Sequence, residues 1–263
     1  MSHQKKFLEA EWRDLVMANY QLDPKLLDSY LPPGTVHDLR DGVCYISLVG
    51  FLFLNTRIRG FRIPFHTDFE EVNLRFYVRF FDEGQWKRGT VFIREIVPLP
   101  AVALVANTIY GEKYEARSMR HAHQDELDAR VFTYGWKKGS WNTIEVRTNK
   151  TSSPISADSL EEFIAEHYWG LSARRGKAYV YEVEHPKWKV YNVVDAKIQV
   201  DFGAAYRENF GFLTRQQPDS VFVAEGSEVN VRAGRWVVQK GLVPIVIILF
   251  RSYCCQVGSG RCF

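Results

Sequence analysis

This chain of 263 residues carries little net charge and few cysteines. Its 34 Lys and Arg residues nearly balance 31 Asp and Glu residues, and a net charge of +3 argues against nucleic acid as the main partner. Cys44 is alone in the body of the chain, whereas Cys254, Cys255 and Cys262 lie close to its C-terminal end. This distribution argues against a disulfide framework and against a zinc site built from paired CxxC motifs.

Targeting and membrane-spanning segments are also missing from the sequence. Met1–Lys6 is polar and charged residues interrupt the next stretch of the chain, so we expect no N-terminal signal peptide. The apolar segment Leu242–Phe250 is too short to span a bilayer. We therefore expect a cytoplasmic protein with no membrane partner, a single domain over residues 1–240 and a C-terminal tail over residues 241–263. The oligomeric state stays open, and a homo-oligomer is compatible with the sequence.

The common cofactor and nucleophile motifs are absent too. No GxGxxG follows a predicted strand, and neither a GxxxxGK[ST] phosphate loop nor a GxSxG elbow occurs. His121 and His123 are the best metal candidates, because histidines two residues apart on a strand share a face. Glu126 follows them too closely for the cupin spacing, however, and no third histidine is evidently paired with them. We expect two exposed histidines at a strand end, no metal and no cofactor.

Alternating apolar residues are abundant and predict a mainly β (α+β) fold. Many short strands are separated by Gly-containing turns, with three modest helices among them, which is typical of a barrel or sandwich rather than of βαβ units. One helix is predicted to start at Pro24, a second at Pro100, and a third after Ser159, which opens a capping-box pattern. Hydrophobic residues make up 46% of the chain, enough for a substantial core.

The segment Asp68–Arg79 alternates between two kinds of side chain, which predicts a strand with two different environments. Its apolar positions are Val72, Leu74, Phe76 and Val78. The polar positions supply an acid, an amide, a guanidinium and a phenol from Glu71, Asn73, Arg75 and Tyr77. A closed antiparallel barrel would turn this polar face inward and make a pocket. The alternative is a solvated outer face with weak Glu–Arg pairs.

Several longer motifs resemble one family of bacterial proteins. They are Glu11-Trp12-Arg13-Asp14, Asp23-Pro24 with Leu31-Pro32-Pro33-Gly34, Tyr45–Phe51, Pro64-Phe65-His66, Phe69–Val78, Phe92–Pro98 and Ala224–Val229. Together they resemble the uncharacterised YqjF-like family over roughly residues 7–235. That family is similar in fold to acetoacetate decarboxylase. The resemblance implies a closed, cone-like antiparallel β-barrel with a few flanking helices and a central pocket.

The resemblance also implies where the pocket residues lie. Decarboxylases of this type hold a Schiff-base lysine, a second lysine that depresses its pKa, an arginine and two glutamates. Arg13 matches the setting of the arginine and Glu71 that of one glutamate, but Val43–Leu54 offers no acid for the other. Lys113 falls on the first lysine and Tyr114 on the Schiff-base lysine, so the lysine pair is broken.

A broken lysine pair argues against imine chemistry. A lysine must be largely neutral to attack a ketone, and the neighbours Glu112 and Glu115 would hold the proton on Lys113. We therefore predict a pocket for a small organic acid, enol or ketone. The candidate catalytic residues are Glu71, as general base, and Lys113; the candidate ligand-binding residues are Arg13, Asn73, Arg75, Tyr77 and Tyr114. The function is either that of a lyase or hydratase without a Schiff-base lysine or that of a non-enzymatic small-molecule-binding protein.

Overall fold

The computed structural model describes residues 5–237, so the predicted tail over residues 241–263 and its segment Leu242–Phe250 lie outside the described residues. The first strands are β1 (Lys6–Leu22), β2 (Thr35–His37), β3 (Cys44–Ile58), β4 (Phe69–Asp82), β5 (Gln85–Val97), β6 (Tyr114–Ala116) and β7 (Met119–Asp125). The later strands are β8 (Arg130–Lys138), β9 (Ser140–Pro154), β10 (Trp169–Arg174), β11 (Lys177–Glu184), β12 (Lys189–Gln199), β13 (Ser220–Arg232) and β14 (Arg235–Trp236). The α-helices are α1 (Pro100–Ile109), α2 (Leu160–Ala165) and α3 (Phe202–Ala205), and 3₁₀ helices cover Pro24–Tyr30 and Glu208–Arg215.

The strands form one 14-stranded sheet, which confirms the prediction of a mainly β protein with few helices. Its main order is β14-β11-β10-β5-β4-β3-β1-β13-β12-β9-β8-β7, with β2 beside β4 and β6 beside β5. The strand β11 also pairs with β13, through Val183 opposite Val231. Most neighbours are antiparallel, but β5 is parallel to both β6 and β10. The sheet is therefore mixed rather than purely antiparallel, since α1 crosses over before β6 begins.

The helix starts follow the local sequence. Pro100 is at the start of α1, where its missing N–H has no partner to lose, and Gly111 follows the helix with a φ of +69°. The hydroxyl of Ser159 accepts a hydrogen bond from the backbone N–H of Glu162 at 3.1 Å, as the predicted cap requires. Within residues 5–237, no helix combines the length and apolar character needed to cross a membrane.

The two faces of β4 are both shielded from water. Val72, Leu74, Phe76 and Val78 are fully buried in a large core that also contains residues of α3 and of the 3₁₀ helix Glu208–Arg215. On the polar face, Glu71, Asn73 and Tyr77 are at most 2% exposed and Arg75 is half-buried. The interpretation of this face as a solvated outer surface is therefore wrong, and the polar side chains point into the protein.

Candidate functional site

The polar face of β4 borders a cavity of about 220 Å³. Most of the cavity wall is apolar and comes from β1, β3, β5 and α1. Representative wall residues are Trp12, Phe51, Phe53, Phe92, Val102 and Val105. Ile63 and His66, from the connection between β3 and β4, lie on the same wall. An apolar cavity with a few converging polar groups is the usual form of a small-molecule site.

Polar side chains from five parts of the chain meet in this cavity. Glu71, Asn73 and Arg75 come from β4, Glu95 from β5, Glu112 from the turn after α1, Tyr114 from β6 and Tyr181 from β11. The three glutamates are between 2% and 8% exposed, although burial of a carboxylate is costly unless a cation or several donors compensate it.

Two neighbouring side chains hold Glu71 in place. The Asn73 amide donates to its Oε1 at 2.9 Å, and the Tyr114 hydroxyl donates to its Oε2 at 2.9 Å. Burial raises the pKa of Glu71 to about 7, although these two hydrogen bonds and the charge of Arg75 oppose the rise. A carboxyl group with a pKa near neutrality can both accept and return a proton at physiological pH.

Glu95 and Glu112 form a second acidic group in the cavity. Burial raises the pKa of Glu95 well above its ordinary value, and the charges of Glu112 and Glu71 raise it further. Burial also raises the pKa of Glu112 to about 8, against a hydrogen bond of 3.0 Å from the hydroxyl of Tyr181. Glu112 is therefore largely protonated at pH 7, and burial favours the neutral form of Glu95 as well.

Among residues 5–237, Arg75 is the one arginine or lysine on the cavity wall. Its Nη2 lies 3.7 Å from the Met17 sulfur, and its Nε is buried with no hydrogen-bond acceptor among residues 5–237. Over the same residues, no carboxylate lies within ion-pair distance of Arg75; the charge of Glu71 acts on it only from farther away. The guanidinium thus keeps free hydrogen-bonding capacity, and Arg75 is one of the residues that line the cavity.

The segment after α1 is extended, and the alternation of its side chains puts Glu112 and Tyr114 on the same side. The side chain of Asn107 brackets Tyr114, because its Oδ1 accepts from the Tyr114 N–H at 2.7 Å and its Nδ2 donates to the Tyr114 carbonyl at 3.0 Å. The N–H of Glu95 also donates to the Lys113 carbonyl at 3.1 Å. Successive side chains of an extended segment point to opposite sides, so Glu112 and Tyr114 face the cavity and Lys113 does not.

Lys113 lies outside the cavity lining. The residue is exposed, and its Nζ sits 5.2 Å from the centre of the Tyr30 ring. Desolvation of the ammonium lowers the pKa of Lys113, with help from Arg207 and against Glu112. The expectation that acidic neighbours raise this pKa is therefore not met. Among residues 5–237, no lysine lines the cavity.

Two further predicted residues also lie away from the cavity. Arg13 pairs with Glu11 at 2.6 Å, two residues back on the same strand, and β1 shifts register between Arg13 and Val16. Asp14, inside that shift, has a φ of 55°. Trp12 and Leu15 rather than Arg13 therefore face the cavity.

The Tyr77 hydroxyl lies 2.6 Å from Ser47 Oγ, which ties it into the core beside the cavity. The cavity does contain the predicted residues Glu71, Asn73, Arg75 and Tyr114.

Sequence reasoning missed Glu95, Glu112 and Tyr181. Glu95 shares parity with the core residue Ile93, but β5 shifts register at this point, since Leu74 is opposite Arg94 while Arg75 is opposite Phe92. An acidic residue at the same parity as buried apolar residues of a strand indicates a buried carboxyl group. The register shift then decides which face of the sheet that carboxyl group lies on.

The histidines that were the best metal candidates in the sequence have separate carboxylate partners. His121 Nδ1 lies 3.2 Å from Glu70, and His123 Nδ1 lies 3.0 Å from Asp14. Their ring centres are 5.8 Å apart. Over the described residues 5–237, no three His, Cys, Asp or Glu side chains are grouped so that they could hold a metal ion.

This architecture is that of the acetoacetate decarboxylase-like fold. The acetoacetate decarboxylase of Legionella pneumophila has 13% sequence identity, and the alignment covers 90% of each chain with a TM-score of 0.62. The enduracididine biosynthesis enzyme MppR, solved in complex with pyruvate, has 14% identity, with 88% of this chain and 91% of that chain covered and a TM-score of 0.60. Likeness at this identity establishes the fold alone.

Within this fold the chain belongs to the DUF2071 family, described as an uncharacterized conserved protein, whose model matches residues 9–228. The uncharacterized protein YqjF of Bacillus subtilis (strain 168) is 27% identical over 197 residues, which are 72% of this chain and 77% of that protein. The resemblance to the YqjF-like family is thereby confirmed.

Proposed function

We propose that the cavity binds a small organic acid, or a related ketone or enol, whose oxygen atoms contact Arg75. Arg75 carries this proposal, because it is a half-buried guanidinium on a cavity wall with no ion-pair partner among residues 5–237. An arginine with free N–H groups binds a carboxylate in a charge-assisted and frequently bidentate manner. The surrounding apolar wall would contact the carbon skeleton of the ligand.

A closed barrel around the cavity is part of the same proposal. The strand β11 pairs with both β10 and β13, so the pairings that run through β10, β5, β4, β3, β1 and β13 return to β11. A closed ring of strands would exclude bulk water from the cavity on all sides except its mouth. Residues 1–240 are proposed to form one domain around it.

Glu71 is the proposed proton-transfer group. With its pKa at about 7, it takes a proton from the carbon next to the carbonyl or carboxylate that Arg75 holds. The C–H electron pair moves toward the carbonyl and forms an enol or enolate, and return of the proton reverses the step. This transfer is shared by lyases and hydratases, and it requires no Schiff-base lysine.

Isotope exchange tests the catalytic part of the proposal. 2-Oxobutyrate in D₂O should exchange its C3 hydrogens faster with the protein than without it, as measured by proton NMR. Glu71→Gln should remove the acceleration and keep binding, while Glu145→Gln, a change at a surface strand residue that does not line the cavity, should not alter either. Equal exchange rates in wild type and Glu71→Gln would contradict the role of Glu71.

Binding itself is tested at Arg75. We expect Arg75→Met to weaken 2-oxobutyrate binding by a factor of about ten or more in calorimetry, because the charged partner is lost. Arg57→Met, at an exposed position of β3 outside the cavity, is the matched control and should bind as wild type does. Equal weakening by both variants would contradict a direct contact.

The alternative is a non-enzymatic small-molecule-binding protein. The absence of any lysine from the cavity lining within residues 5–237 favours this alternative, because the nucleophile used by acetoacetate decarboxylases has no replacement there. Binding of 2-oxobutyrate that depends on Arg75, without any acceleration of exchange, would support the binding function and contradict the lyase or hydratase.

A further inference from the structure

We propose that the ligand of this cavity also carries a protonated nitrogen, which binds between Glu95 and Glu112. The ligand would then be an amino-substituted organic acid, with its carboxylate at Arg75 and its ammonium group at the two glutamates. The carboxylate end rests on the proposed function, whereas the ammonium end rests on separate contacts.

Glu95 supplies the first of these contacts. Its Oε2 is buried and has no hydrogen-bond donor among residues 5–237, and Glu95 is one of the residues that line the cavity. The residue is only 2% exposed, so bulk water does not satisfy this oxygen. Buried carboxyl oxygens almost always have a donor, and an N–H group on the ligand would supply one here.

The charges and the hydrogen-bond donors that line the cavity also favour a cationic group on the ligand. Three carboxyl groups line it, Glu71, Glu95 and Glu112, against the single arginine Arg75 among residues 5–237. Lys113 is turned away from the cavity. The protein therefore offers these acids fewer cationic donors than they are able to use.

The nearby phenols do not make up the shortfall. The hydroxyl of Tyr114 donates to Glu71, and the hydroxyl of Tyr181 donates to Glu112. Each phenol has a single O–H to donate, so Tyr114, which is also within hydrogen-bonding reach of Glu95, serves it only by leaving Glu71, and Tyr181 could serve it only by leaving Glu112. A ligand ammonium has three N–H donors, enough for both Glu95 and Glu112.

Strand register gives a length scale for the ligand. Asn73 is directly opposite Glu95, and Arg75 lies two residues farther along the same face of β4. Two residues of a strand span about 7 Å. This separation fits a carboxylate and an ammonium group joined by about four methylene groups, as in 5-aminopentanoate.

Proton release is the expected signature of this ammonium site. Without a cation, burial keeps the pKa of Glu112 at about 8 and that of Glu95 well above its ordinary value. A bound ammonium favours the ionised carboxylates, so binding near pH 7 should expel a proton into the buffer. Calorimetry in two buffers of different ionisation enthalpy measures that proton directly.

The test compares 5-aminopentanoate, pentanoate and pentylamine by calorimetry at pH 7. We expect 5-aminopentanoate to bind about tenfold more tightly than pentanoate and to release a proton. Glu95→Gln and Glu112→Gln should each remove that advantage while leaving pentanoate binding unchanged, and Glu145→Gln should leave all three affinities unchanged. A thermal melt of each variant verifies that it is folded.

The three probes separate the two proposals. Pentanoate binding that depends on Arg75, with no advantage for 5-aminopentanoate, overturns the ammonium site and leaves the acid site standing. Pentylamine binding that depends on Glu95, without pentanoate binding, supports the ammonium site and overturns the acid site. Failure of all three probes to bind overturns both.

Discussion

Two groups of buried acids in this protein have opposite surroundings. Asp38 and Asp82 are 5% and 8% exposed, and the cavity glutamates are buried to a similar degree. Asp38 accepts from Arg88 at 2.7 Å and contacts His167 at 3.0 Å, and Asp82 accepts from Lys87 at 2.8 Å and from Arg235. Burial alone would raise the pKa of both aspartates, but these partners outweigh it and lower the pKa.

The comparison separates structural acids from acids kept available for a ligand. Asp38 and Asp82 are satisfied by the protein itself and stay ionised. Glu95 and Glu112 have no such cation facing them in the cavity, as far as residues 5–237 show, and the pKa of each is raised. Both groups have little exposed surface, but only the aspartates have cationic partners, and these partners keep them ionised.

Removing a structural acid should have the largest effect on stability. Asp38→Ala would leave the Nε of Arg88 and the buried His167 without their acceptor, so we expect a loss of about 3 kcal/mol in the free energy of unfolding. Urea denaturation at pH 7 measures it. Glu71→Gln, a neutral replacement in the cavity, is the control and should cost less than about 1 kcal/mol. Equal losses in the free energy of unfolding would contradict a difference between the structural aspartates and the cavity glutamates.

The two groups should also respond to pH in opposite directions. A carboxyl group whose pKa is higher in the folded than in the unfolded protein stabilises the fold at low pH. For Glu112 this stabilisation is lost as the pH rises from 4.5, the pKa in the unfolded chain, through about 8, the pKa in the folded protein. Asp38 and Asp82, with lowered pKa values, lose their contribution only as pH falls through those values.

Glu112→Gln should therefore stabilise the protein at high pH. The amide cannot ionise, so we expect the variant to match wild type near pH 5 and to exceed it in stability progressively as the pH rises through 8 toward 9. Urea denaturation across this range provides the measurement, with Glu145→Gln as the surface control. A constant difference between variant and wild type at every pH would show that Glu112 does not titrate with folding.

A smaller effect is expected from the hydrogen bond to Glu71. Tyr114→Phe removes the hydroxyl that favours the ionised form of Glu71, so the pKa of Glu71 should rise by about one unit. NMR titration of the labelled Glu71 carboxyl carbon reports it. Tyr181→Phe is the matched control, because that phenol donates to Glu112. A larger shift of the Glu71 pKa in the control would contradict the assigned contact.

The smallest effect is expected at Lys113. Its side chain is outside the cavity, so Lys113→Met should leave ligand binding unchanged. Borohydride reduction in the presence of 2-oxobutyrate, followed by peptide mapping, should give no adduct at this residue. A reduced adduct on Lys113 at neutral pH would restore an imine mechanism, and the cavity acids would then have a cationic partner after all.

Local patterns predicted the strand at the site but not its full set of partners. The alternation of Asp68–Arg79 correctly assigned Glu71, Asn73 and Arg75 to one face. The resemblance to the decarboxylases assigned Arg13 to the pocket, but β1 shifts register next to Arg13 and this residue does not line the cavity. Glu95 lines the cavity beside a register shift in β5, and no sequence pattern predicted it. A one-residue irregularity exchanges the faces of a strand, and nothing in the residue types marks it plainly.

By itself the sequence determined the mainly β class, the capped helices and the two-faced strand β4, because these depend on residues close together in the chain. Its longer motifs correctly indicated the family. Only the tertiary structure decided that Glu95, Glu112 and Tyr181 share a cavity with Glu71, and that Lys113 does not. These residues come from different strands, and their protonation depends on burial and on each other's charge, which exist only after the sheet has formed.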